Sequence, residues 1–190
     1  MRFLTSGLLA GCTAMALCAA SPIANAVTYS YTGNTFTSVS APYTTSDSVS
    51  GTITLATPLA ANLTSFTTVL PTSFSFTSAG ETISNSTPGS GSQFFFKTDA
   101  AGDITYWGAT VYVGSVSQFS ISTINAPTTY GVYDSIQHGG GTEQGLVSKS
   151  PGTWSVMASV PEPEAYALTL AGLILVGSAT ARRKFSKSTR

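Results

Sequence analysis

Between Val27 and Ser159 short runs dominate in which apolar residues take every second position, and no stretch carries a convincing 3.6-residue apolar stripe. Val27, Tyr29 and Tyr31 alternate with Thr28 and Ser30. Val49, Gly51, Ile53 and Leu55 alternate with Ser50, Thr52 and Thr54, and Phe74 and Phe76 with Ser73, Ser75 and Thr77. Ile104 and Tyr106 flank Thr105, Val111 and Val113 flank Tyr112, and Phe119 and Ile121 alternate with Ser120 and Ser122. Trp154, Val156 and Ala158 alternate with Ser155 and Met157. Successive side chains of a strand point to opposite faces, so this pattern predicts strands with one face buried and one wet.

Turn chemistry separates the runs: Ala79-Gly80, Pro88-Gly89-Ser90-Gly91, Asp99 to Asp103, Gly139-Gly140-Gly141 and Pro151-Gly152. The clearest hairpin runs from Phe94 to Thr98, through the Asp99–Asp103 loop, into Ile104 to Trp107. Pro58 to Leu63 reads as a loop or one helical turn. About eight to ten strands are expected, which makes residues 27–159 an all-β body, an antiparallel β-sandwich or a jelly roll.

The body's polarity comes from Ser, Thr and Gly, because charged residues are only 8% of the chain against roughly 25% in ordinary soluble domains. Lys97 and Lys149 are its only basic residues. They face Asp47, Glu81, Asp99, Asp103, Asp134 and Glu143, so two cations against six carboxylates leave a formal charge of −4. A body without a basic surface has nothing to neutralise phosphates, and nucleic acid is not an expected partner. Both cysteines, Cys12 and Cys18, lie upstream of the body. The body therefore has no disulfide, no thiolate nucleophile and no Cys-based metal site.

The first 26 residues read as a signal-peptide helix. Arg2 supplies the basic start, Phe3 to Ala20 is apolar or small, and Ala24-Asn25-Ala26 offers the small residues that a signal peptidase pocket admits. Cleavage after Ala26 is expected. Leu9-Ala10-Gly11-Cys12 resembles a lipobox, whose cysteine is lipidated. However, only Phe3 to Gly11 would precede that cut, and the apolar run continues past Cys12.

Residues 160–190 read as a sorting segment. Val160-Pro161-Glu162-Pro163-Glu164 comes first, and its prolines hold it extended and accessible, as a protease or transpeptidase requires. Ala165 to Ala181 then gives 17 uncharged residues, including Leu168, Leu170, Leu173 and Leu175. As a helix it spans about 26 Å, at the short limit for a hydrocarbon core of about 30 Å. Arg182, Arg183 and Lys184 stop it and open a basic tail over 182–190, which is expected to stay cytoplasmic while the leader sends the body out.

These three parts, in this order and spacing, closely resemble the PEP-CTERM sorting signal of Gram-negative bacteria over about the last thirty residues. The tail, running on to Arg190, is somewhat longer than that family's usual stub. The resemblance implies a membrane-embedded exosortase acting at Pro161-Glu162-Pro163. It also implies inner-membrane anchoring before processing and a later place at the cell surface or in the matrix, with biofilm and exopolysaccharide as associates.

Candidate chemistry in the body is sparse. His138, the lone histidine, precedes three glycines and is expected in a flexible loop. A Ser-His-Asp mechanism needs an oriented histidine, and no Gly-x-Ser-x-Gly elbow is present. Asp99 and Asp103 bracket a loop that reads as a solvated turn, short of the six to eight oxygens calcium takes. No catalytic residue, metal or cofactor is therefore assigned. Trp107 and Trp154, with Tyr106, Tyr112, Tyr130 and Tyr133, are candidates for a sugar-stacking platform, provided that the rings are exposed on one face. The expected function is a non-enzymatic exported surface or matrix protein. A carbohydrate-binding surface module is the alternative, and an extracellular hydrolase has the least support.

Overall fold

The computed structural model describes residues 26–157, and every regular element among them is a strand. The strands are β1 (Val27–Thr35), β2 (Ser38–Val39), β3 (Ser48–Leu55), β4 (Thr67–Thr68), β5 (Ser73–Ser78) and β6 (Glu81–Ser84). They continue as β7 (Ser90–Thr98), β8 (Ile104–Val113), β9 (Phe119–Ala126), β10 (Gly131–His138), β11 (Glu143–Ser148) and β12 (Thr153–Met157). All pairings are antiparallel. One sheet has the order β12-β1-β3-β5-β6, the other β2-β11-β10-β9-β8-β7-β4. The chain crosses between sheets early and late, while β7 to β11 form an unbroken hairpin meander within the larger sheet. The signal peptide, Cys12, the sorting motif, the transmembrane segment and the basic tail lie outside the described residues. No helix among the described residues is long and apolar enough to cross a membrane.

Period-2 alternation does the folding. Tyr29, Tyr31, Val49, Ile53 and Phe76 from one sheet meet Phe94, Phe96, Val111, Ile121 and Ile136 from the other in a single core. Burying each such side chain stabilises the fold by about 1.5–3 kcal/mol. Gly51 pairs with Phe76 across β3 and β5, and the Phe76 ring fills the space that a Cβ there would need. The larger sheet's edges, β2 and β4, are two residues each, and such short edges offer little template for unwanted pairing.

Two expectations about faces are corrected. Ile104 and Tyr106 do not share the inner face. Lys97 pairs with Tyr106 and Thr98 with Ile104, so Thr105 is an extra residue in β8. This bulge shifts the parity by one, turning Tyr106 outward (42% exposed) and Trp107 inward (4%). On β12, Trp154 packs against the core, but Val156 is 56% exposed, because β12 is an edge strand and Val156 sits at the rim of an open cleft. Pro58 to Leu63 is a loop without a helical turn.

Candidate functional site

The two tryptophans are interior residues, so the platform expected of them is not formed. Trp107 is inward on β8, and its Nε1–H donates to Thr123 Oγ1 at 2.8 Å. The Trp154 ring packs on Tyr31 (centroids 5.2 Å) and edge-on to Phe96 (5.4 Å). Both rings surround a polar network between the sheets. The Tyr31 hydroxyl, fully buried, donates to both Asp134 carboxylate oxygens at 2.7 and 2.9 Å and accepts from the Gly152 amide at 2.7 Å. Asp134, on β10, is wholly buried. Gly33 makes room for it, since a Cβ there would lie 2.7 Å from Asp134 Oδ2.

Burial raises the Asp134 carboxyl to about 6, while hydrogen bonds from Tyr31, Thr123 and the Asn34 backbone oppose the rise. Burial, then the neighbouring carboxyl, push the Tyr31 hydroxyl well above its usual value, so it stays a donor. No substrate reaches this pair from solvent. It ties β1 of one sheet to β10 of the other, and the sequence signal for it, an acid within an apolar strand, is visible only once the register is known.

His138 is not in a flexible loop. It is the last residue of β10, paired with Phe119 on β9 and Glu143 on β11. Its ring stacks on Phe119 at 4.0 Å and 12°, and its Nε2 lies 3.0 Å from Glu81 Oε2 on β6 of the other sheet. The Tyr43 hydroxyl donates to the second oxygen of Glu81 at 3.2 Å, and burial, then Glu81, raise that hydroxyl's pKa. Among the described residues no serine or threonine hydroxyl bonds to the His138 ring, and its contact with Glu81 joins β10 of one sheet to β6 of the other. Asp99 closes the β7–β8 turn, its Oδ1 accepting from the amides of Ala101 (2.8 Å) and Asp103 (3.0 Å). This is an Asx turn rather than an open ligand set.

Exposed aromatic chemistry lies instead on the outer face of the larger sheet. Phe95, Gly108, Ile124 and Tyr133 form one row across β7 to β10, with Lys97 and Tyr106 in the next. Phe95 lies flat over Gly108, where no Cβ could fit beneath its ring. Phe66 from the loop before β4 and Tyr130 from the β9–β10 turn lean on Phe95, with centroids 5.0 and 5.1 Å away. Lys97 Nζ stands 4.5 Å from the Phe66 centroid and 5.7 Å from that of Tyr106, within cation–π reach of both. Tyr130 is 57% exposed. Beyond this row follow Gln93, which is exposed, and Thr110, which is half-buried and accepts from Ser122 Oγ at 3.1 Å, while Ser122 and Ser135 themselves are buried. Tyr106, Tyr130 and Tyr133 were named from sequence. Phe66 and Phe95 were not, because a Phe-Phe-Phe run gives no hint of which ring faces out.

Compared with known proteins, the chain matches no family model, no curated protein and no solved structure.

Proposed function

We propose that the chain is an exported, non-enzymatic surface or matrix component, sorted through its C-terminus and cut by an exosortase at Pro161-Glu162-Pro163. The observation that carries this reading is the ordered C-terminal trio: a Pro-Glu-Pro stretch, an uncharged apolar segment from Ala165 to Ala181, and Arg182-Arg183-Lys184. The N-terminal strand bound is compatible with processing: β1 begins at Val27, so a cut after Ala26 removes nothing from the sheet. Intact-mass analysis of protein from cells and from culture medium tests it. The expected product starts at Val27 and loses the segment beyond the Pro-Glu-Pro stretch, and deleting the exosortase leaves that segment attached. Full-length chain in the cytosol, with Met1 and Arg190 both present, overturns the reading.

A glycan-binding surface module is the second reading. The outer aromatic cluster of Phe66, Phe95, Tyr106 and Tyr130 favours it, because rings held by a rigid sheet offer apolar faces for stacking beside hydroxyl and amide groups for sugar oxygens.

A further inference from the structure

Two open sheets have four edge strands, and each leaves backbone N–H and C=O groups unpaired on its outer side. Three of the four are blunted here. β2 and β4 are two residues each. β6 is four residues long and carries Glu81, which His138 and Tyr43 hold. β12 differs from all three. Thr153–Met157 pair with β1 at five consecutive positions without a bulge, and none of the five is charged, proline or glycine. No described strand lies on the other side of β12. Just before it, the Gly152 amide donates to the buried Tyr31 hydroxyl and fixes where the strand starts. The edge is thus regular and anchored, and it lacks the charge, proline or bulge that sheets use against edge pairing.

The side chains of β12 indicate what covers it. Trp154 pairs with Tyr31 and Val156 with Tyr29, so both have inner-face parity. Trp154 packs inward on Tyr31, Phe76 and Phe96. Val156 has the same parity and is still 56% exposed. Both line a cleft of about 340 Å³, bounded by Ile104 and Asp103 of the β7–β8 hairpin. A second β12, laid antiparallel with Ser155 opposite Ser155, sets inner residues opposite inner and outer opposite outer. Each Trp154 then faces the Val156 of the other copy, and each Thr153 the other Met157. An aromatic ring opposite a β-branched side chain is a favourable cross-strand pair, and the two-fold register makes two of them. The outer face that such pairing extends is uncharged next to the edge, with Thr28, Ser30 and Thr32 on β1 and Ser50, Thr52 and Thr54 on β3. No like charges therefore meet across it. Asp103, the one charged residue lining the cleft, is exposed and keeps its water.

We propose that two copies of the chain join through β12, antiparallel about a two-fold axis at Ser155, so that two five-stranded sheets become one continuous sheet. The interface is small, so the association is weak and depends on concentration. It closes on itself, because it uses the one unblunted edge among the described residues, and it yields dimers rather than open fibres.

The test uses the full chain in neutral detergent micelles, with Cys12→Ser and Cys18→Ser as background so that introduced cysteines are the only thiols. Under mild oxidation, Ser155→Cys should form a disulfide-linked dimer at least about tenfold faster than Met157→Cys, because bridged Cα atoms must lie within about 7 Å. In the proposed register the two Met157 positions are four residues, about 14 Å, apart along the strands. Thr153→Cys mixed with Met157→Cys should give the mixed dimer. In sedimentation velocity the cysteine-free chain should dimerise as its concentration rises. Val156→Lys, a charge placed on the edge, should weaken that by about tenfold or more with near-UV circular dichroism unchanged. Equal crosslinking at positions 155 and 157 overturns the proposal. So does association that Val156→Lys leaves untouched, which assigns it to the apolar segments outside the body. A monomer at every concentration also overturns it, and leaves the edge to a strand of another protein.

Discussion

Asp134 is a carboxyl enclosed between two sheets, and its titration should be readable in the stability of the whole body. Its pKa rises from the ordinary 3.8 to about 6, chiefly through burial. Between those values the folded state holds more protons than the unfolded state, so stability falls as pH rises. The contribution is fully present below about pH 4 and is lost as pH passes about 6. Its size is roughly 3 kcal/mol, from about 1.4 kcal/mol for each pH unit of displacement. This is a large fraction of the 5–15 kcal/mol that holds a typical domain together.

Urea unfolding of the body, residues 27–157, at pH 4, 5, 6 and 7 measures the effect, with a constant m-value as the check on two-state behaviour. Asp134→Asn is the control for every other titrating group. Its amide meets donors from Tyr31 and Asn34, so one polar group loses a partner at a cost of about 1–3 kcal/mol. Removal of the buried charge offsets that loss at neutral pH. Absolute stability is therefore a poor readout, and the slope is the informative one: the fall between pH 4 and 6.5 should shrink by roughly 2 kcal/mol in the variant. Equal pH slopes in the wild type and Asp134→Asn would refute the reasoning.

Two further outcomes follow from the site geometry. Trp107→Phe removes the donor to Thr123 Oγ1 and part of a buried ring; it should cost about 1–3 kcal/mol by urea unfolding. Asp99→Ala frees the amides of Ala101 and Asp103; it should destabilise by about 1 kcal/mol, with faster hydrogen exchange confined to the β7–β8 turn.

The sequence predicted the β7–β8 hairpin closely because both of its signals are local: a Gly-containing loop and flanking alternation. The same logic fails two residues later. Ile104 and Tyr106 look like inward neighbours, but the bulge at Thr105 is set by the pairing with Lys97 and Thr98, which no local pattern encodes. The platform was misplaced for the same reason, since the parity shift sends Trp107 inward and Tyr106 outward. His138 beside three glycines reads as loop because glycines mark turns. In the fold those glycines make the turn, and the ring in front of them stays clasped to Phe119 and Glu81. β2 and β4 are too short for any period to register, yet they close the larger sheet.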